Sequence, residues 1–326
     1  MRTIVPGVRT LVVIACGALL SLSSKAQSIT TGNGKVELGL GIGPMFFLGD
    51  LGGHSGTGKT FIKDVNVPLT KLSKGLYVNF YPAEWLGFRL AANLSRIEGS
   101  DSIVKDGSGA EQFRKLRNLQ FQSKVTEFYA AAEFYPTVFF EKYDGLQGKL
   151  RPYGVIGFGM FKFNPQGLYY DQNGGGARWV DLQPLRLEGQ GMRETGRPEY
   201  SLTQYHIPMG FGAKYYVKEN FYVGLEVLHR KTFTDYIDDV STTYIDNTLF
   251  QNYLTGDQLA MANQLYYREN FTPNAPAQRP GLNEQRGDPT ENDAFFSTML
   301  RFGWRLNDNN SPMGRAARQM RCPSFY

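Results

Sequence analysis

Val36-Glu37-Leu38-Gly39-Leu40-Gly41-Ile42-Gly43 decides the reading of this chain, because apolar residues alternate without a break against glycine or a carboxylate. A period of two marks a strand with one face in an apolar medium and the other in small or polar surroundings. The pattern recurs. Leu76, Val78 and Phe80 follow it, as do Leu86, Phe88, Leu90, Ala92 and Leu94 against Arg89, Ala91, Asn93 and Ser95. Phe128, Ala130, Ala132 and Phe134 oppose Glu127, Tyr129, Ala131 and Glu133, and Ile207, Met209, Phe211 and Ala213 oppose Gly210, Gly212 and Lys214. Phe221, Val223, Leu225 and Val227 oppose Tyr222, Gly224 and Glu226, and Phe296, Thr298, Leu300, Phe302 and Trp304 oppose Ser297, Met299, Arg301 and Arg305. Tyr153 to Phe163 is Gly-rich and aromatic, and its two faces do not separate by composition. These are eight segments of about 10 to 14 residues, the length of a tilted membrane-spanning strand.

The links between segments alternate in length. Those near 49–70, 97–118, 164–202 and 233–294 are long, and those near Tyr81-Pro82-Ala83-Glu84, 136–149 and Val217-Lys218-Glu219-Asn220 are short. Bacterial barrels put short turns in the periplasm and long loops outside. The expected fold is therefore all-β, an eight-stranded antiparallel transmembrane up-and-down β-barrel with long extracellular loops and both termini periplasmic. A soluble β-sandwich shares the alternation and the turn signals, but it does not require every second link to be long. Aromatic residues near segment ends, Tyr81, Trp85, Tyr135, Tyr153, Tyr215, Tyr216 and Trp304, suit girdles at the two membrane interfaces.

The N-terminus supplies the route to a membrane. Arg2 and Arg9 precede an apolar run from Leu11 to Leu22, and Ser24-Lys25-Ala26 has the small-x-small form of a cleavage site. Residues 1–26 thus read as a signal peptide, 27–306 as the barrel and 307–326 as a periplasmic tail. The apolar run is too short for a retained spanning helix, which needs about 20 residues, and lipidation at Cys16 would leave almost no apolar run before it. Without the leader 32 basic side chains face 30 acidic ones, so the charge gives no case for nucleic acid. Cys322 is then the one remaining cysteine, which excludes a disulfide framework and a thiolate metal cluster.

Residues 53–60, Gly-His-Ser-Gly-Thr-Gly-Lys-Thr, match the Walker A pattern in full. A phosphate cradle needs that loop at a helix N-terminus, whereas Phe61 to Val67 is β-branched and stops at Pro68, so an outer loop is expected. His54, His206 and His229 have no ligand or triad partners at recognisable spacing, and nothing asks for a cofactor. The inward-facing positions are more informative. They include Glu37, Glu127, Glu133 and Glu226 with Arg89, Lys214, Arg230, Arg301 and Arg305, a nearly neutral set in a lumen that side chains can fill. A buried, paired network is expected there and a diffusive pore is not. In the last long link the acidic pairs lack the regular spacing of a calcium loop, and a helix is expected over Asp257 to Tyr267. In the tail, Arg315, Arg318 and Arg321 recur every three residues and would share one side of a helical turn, a candidate dock for a periplasmic partner together with the turn around Glu141-Lys142-Tyr143.

Four stretches carry a family resemblance: Leu48-Gly49-Asp50-Leu51, residues 235–244 (Asp-Tyr-Ile-Asp-Asp-Val-Ser-Thr-Thr-Tyr), Arg286-Gly287-Asp288-Pro289 with Asn292-Asp293, and Cys322-Pro323. Together the chain resembles the PorG-like outer-membrane β-barrels of the type IX secretion system. The resemblance implies an integral outer-membrane, non-enzymatic component of a protein-export machine, in contact with outer-membrane lipid and with periplasmic proteins of a secretion ring. It implies no catalytic residues. The rivals are a surface adhesion barrel acting through its outer loops and an enzyme of lipid or peptide at the outer rim.

Overall fold

A computed structural model describes residues 36–51, 69–103, 117–141, 146–171, 175–268 and 281–306. The leader, the Walker-like stretch and the tail with Arg315, Arg318, Arg321 and Cys322 lie outside the described residues. Ten strands form one sheet: β1 (Val36–Leu48), β2 (Lys71–Ala83), β3 (Leu86–Ser100), β4 (Gln120–Phe134), β5 (Leu150–Lys162), β6 (Pro165–Asp171), β7 (Gly176–Asp181), β8 (Thr203–Lys218), β9 (Phe221–Thr232) and β10 (Ala294–Leu306). Every pairing is antiparallel, and the contact of β3 with β4 closes the ring. Eight strands make the barrel, and β6 with β7 form a hairpin that leaves it along β4.

The alternation read from the sequence is the alternation of burial. On β1, Leu38, Leu40 and Ile42 are exposed while Glu37, Gly39, Gly41 and Gly43 are buried. The glycines are required by what the lumen holds. A Cβ on Gly39 would fall inside the Tyr77 ring, and one on Gly303 inside the Tyr222 ring. On β5, whose faces composition leaves unresolved, Ile156, Phe158 and Met160 point out and Arg151, Tyr153, Val155 and Phe161 point in.

The expected aromatic girdle needs correction. Tyr215 and Trp304 face outward, but Tyr81, Tyr135, Tyr153 and Tyr216 are buried in the lumen. They lie there because hydroxyls are needed to solvate the inward charges, a demand that outweighs the preference of tyrosine for a membrane interface.

The links obey the long and short rule. Glu84-Trp85 and Glu219-Asn220 are the tight turns, and 135–149 holds a short 3-10 helix, Pro136–Phe139. At the other end the loops build a cap with its own apolar core. Met45, Phe47, Phe121, Phe161, Phe163 and Phe295 at the barrel mouth continue into Leu185, Leu187, Ile237, Val240, Phe250 and Leu265 above it. The cap contains the β6–β7 hairpin and the helices α1 (Phe250–Tyr253) and α2 (Asp257–Tyr266), the second of which is the expected helix.

Candidate functional site

Strand register brings all nine inward charges of the sequence reading into the lumen, stacked from the turn end towards the loops. Glu37 lies opposite Asn79 on β2 and Arg305 on β10, and Asn93 lies opposite Glu127. Lys214 Nζ donates to Glu37 at 2.8 Å and to Glu133 at 3.2 Å, and Tyr222 donates to Glu37 at 2.7 Å. Arg89 pairs with Glu133 and, at 2.6 Å, with Glu226. Arg301 also pairs with Glu226, which takes a further bond from Tyr153 at 2.7 Å. Nearer the loops Arg230 spans Glu127 with bonds of 2.9 and 3.1 Å, Asn93 donates to the same carboxylate at 2.6 Å, and His206 Nε2 sits 3.4 Å from it.

Two members were not visible in the sequence. Glu84 accepts from Arg305 and Arg151, both at 2.8 Å, and Arg151 also reaches Glu141 at 2.9 Å, which closes the turn end. Glu84 stands in a two-residue turn and Arg151 at the start of the strand whose faces composition leaves ambiguous, so neither carries a period-two signal. Buried charges are costly unless each finds a partner. Here each carboxylate is met by at least one cation, and tyrosine hydroxyls or asparagine amides fill the remaining positions. Side chains of this size fill an eight-stranded interior, and the phenylalanine layer at the mouth lies directly above them.

The cap uses its charges differently. Arg117 donates to Asp101 at 2.8 and 2.9 Å, to the Asp50 carbonyl at 2.7 Å and to the Arg286 carbonyl, which ties the first, second and fourth long links together. Glu188 of the third accepts from the amides of Ser241 and Thr242 and from Arg286 at 2.8 Å. Asp238 accepts from the amides of Leu51 and Val240, Asp50 from that of Asp288, and Asp293 from that of Ile237. Carboxylates outnumber cations in this knot. Burial raises Asp50 to about 6 and Asp239 to about 7. Asp238 and Asp293 are held well above the carboxylate range, first by burial and then by their acidic neighbours. Among the described residues no three His, Cys, Asp or Glu side chains are arranged to hold a metal ion.

Of the histidines, His206 is buried in the lumen and His229 lies on the other face of its strand, opposite Met209 and Phe296. His54 and most of the turn dock, Lys142 and Tyr143, lie outside the described residues.

No family model matches the chain, and no curated protein does. Among solved structures it is similar to three outer-membrane proteins at a distance. Ail, the attachment invasion locus protein of Yersinia pestis, solved with the heparin analogue sucrose octasulfate, is 9% identical at a TM-score of 0.36, over 84% of this chain and 99% of that one. A major outer membrane protein of Thermus thermophilus is 10% identical at 0.38, over 83% and 99%, and OprG of Pseudomonas aeruginosa is 10% identical at 0.33, over 85% and 98%. The closed strand pairing, rather than these likenesses, carries the architecture.

Proposed function

We propose that the chain is an integral outer-membrane protein, a non-enzymatic sealed barrel that anchors part of a type IX-like protein secretion apparatus. The observation that carries the membrane reading is the outer surface. Leu76, Leu90, Leu94, Phe128, Ile156, Phe211 and Leu225 stand exposed around the ring while arginine and glutamate fill its centre, an inversion of the order in a soluble protein. A closed barrel satisfies its backbone groups internally, so such a surface suits a bilayer. In this orientation the cap is extracellular and both termini lie in the periplasm. A lumen crowded with paired charges under an apolar layer favours an anchor over a conduit.

The secretion role rests on the resemblance, and one geometric fact supports it. Leu48 to Leu51, residues 235–244, Arg286 to Pro289 and Asp293 are far apart in sequence, yet they bond to one another in the cap: Asp238 to Leu51, Asp50 to Asp288, Asp293 to Ile237. The described stretches that carry the likeness are thus one physical latch, and Cys322-Pro323 lies outside the described residues. Docking to a periplasmic ring falls to the turn end and to the tail with Arg315, Arg318 and Arg321. Truncation after Leu306 should leave an inserted barrel that no longer co-purifies from detergent with periplasmic partners; retention of the partners at moderate salt would exclude the tail as the dock.

A second reading, surface binding through the cap, is favoured by one feature. Gln264 of α2 bonds both the amide and the carbonyl of Tyr170 at 2.7 and 2.9 Å and so covers the edge of β6, whereas β7 is the last strand of its sheet and presents Trp179, 39% exposed. An open strand edge accepts an extended partner. Deleting the gene and assaying secreted cargo separates the readings, since an adhesin should leave export intact.

A further inference from the structure

On its outer surface, towards the loops, four exposed cations stand on four adjacent strands: Lys74 on β2, with the exposed Leu72 still loopward of it, Arg96 on β3, Lys124 on β4 and Lys162 on β5. Each follows the outward period of its strand, above Leu76, Leu94, Phe128 and Met160 respectively. Register sets their spacing. Arg96 is directly opposite Lys124. Lys74 is opposite Leu94 and so diagonal to Arg96, and Lys162 is opposite Thr126 and so diagonal to Lys124. Directly opposed Cβ atoms stand about 5 Å apart and diagonal ones about 7 Å, and like charges at that spacing repel. Among the described residues none of the four has an acidic partner. Glu98, on the same face of β3, is taken by Lys71 at 2.9 Å. The stripe is bounded on both sides, by Ile42 opposite Lys74 on β1 and by Thr203 opposite Lys162 on β8.

A second feature lies on the same strands. Further from the loops the outer surface is concave, with a volume of about 810 Å³, lined by Leu76, Ala92, Phe128, Ala130, Phe158 and Met160 among others; Leu76 and Met160 are two residues from Lys74 and Lys162, whereas Leu94 and Thr126 separate it from Arg96 and Lys124. Ala92 and Ala130 are small residues between large ones and make the depression. A row of unpaired cations on the loop side of an apolar concavity has the polarity of an amphiphile with an anionic head.

We propose that this face binds one phosphorylated, acylated lipid of the surrounding leaflet, its phosphate held across Arg96 and Lys124 with Lys74 and Lys162 flanking, and its chains in the concavity. The proposal rests on the outer-membrane reading. It commits to a lipid and not to free phosphate because the cations stand on the same strands as the apolar depression, within the reach of a lipid whose chains lie in it. No bond is made or broken.

The test is native mass spectrometry of the full chain in non-ionic detergent with bis-phosphorylated lipid A, using phosphatidylcholine and inorganic phosphate as comparators. Lipid A should remain bound where phosphatidylcholine does not, and inorganic phosphate at equal concentration should not displace it. Arg96→Gln with Lys124→Gln should weaken retention by roughly thirty-fold, from two cations near a charged lipid surface. Ala130→Phe, which fills the depression without altering charge, should weaken it as well. Equal retention of lipid A and phosphatidylcholine, displacement by phosphate, or undiminished binding by the charge variant would overturn the proposal. Heat-modifiable gel migration of each protein reads the barrel independently: its loss in the unmodified chain would sink the outer-membrane reading itself, whereas its presence confines a negative result to the lipid site.

Discussion

The lumen and the cap both bury many charges, yet they satisfy them by opposite means. In the lumen each glutamate meets an arginine or lysine, as Glu127 meets Arg230 and Glu226 meets Arg89 and Arg301. In the cap Asp238, Asp293 and Asp50 accept mainly from backbone amides, of another loop for Asp50 and in part for Asp238, and of its own long link for Asp293. The difference follows from the scaffold. Strands spend their amides on the ladder and leave only side chains to answer an inward charge, whereas irregular loops have amides in need of an acceptor. The lumen is therefore built of mutual ion pairs, whereas the cap adds to its Arg117–Asp101 and Arg286–Glu188 pairs a set of acids whose neighbours are also acids.

Removing one partner should hurt most in the lumen. Arg230→Leu leaves Glu127 buried with no guanidinium and should cost about 3–5 kcal/mol, read as a shift of the urea midpoint for refolding into detergent micelles. A smaller loss, near that of a surface change, would mean that water reaches the site. The outer apolar face sets an intermediate scale. Leu225, 53% exposed, should tolerate arginine only at about 2–4 kcal/mol, and normal insertion of Leu225→Arg would contradict the outward assignment of β9.

The cap should respond to pH. The folded-state values of Asp50 and Asp239, about 6 and about 7, lie above the unfolded carboxylate value. Their contribution is thus fully present below about pH 4 and is lost as pH rises through about 6 to 7. Limited proteolysis of the cap should accelerate between pH 5 and pH 8 while the barrel remains intact, and Asp239→Asn should flatten the profile. An unchanged rate would mean that the acids are stabilised as anions.

Much of this was legible because a barrel strand writes its environment at every second residue. Leu38, Leu40 and Ile42 against Glu37 and three glycines specify both faces of β1, and the same alternation places Arg89, Glu133, Lys214 and Arg301 inward without reference to any pairing. What pairs with what was not legible, since partners such as Lys214 and Glu37 come from strands remote in sequence. The β6–β7 hairpin is not legible because its short strands lie inside a long link: both faces of β7 are largely exposed, and β6, Pro-Gln-Gly-Leu-Tyr-Tyr-Asp, alternates in burial without alternating in polarity. The cap core is not legible for a related reason: Leu185, Val240 and Phe250 are isolated apolar residues whose convergence depends on loop geometry.

A charged lumen that is a sealed structural core is tested by placing the full chain in planar lipid bilayers and recording its single-channel current. Negligible conductance is predicted, because Arg89, Arg230, Arg301 and Lys214 are locked to carboxylates under a phenylalanine layer. Stable, reproducible open channels would show instead that the same charges line a pathway and that the lumen is not sealed.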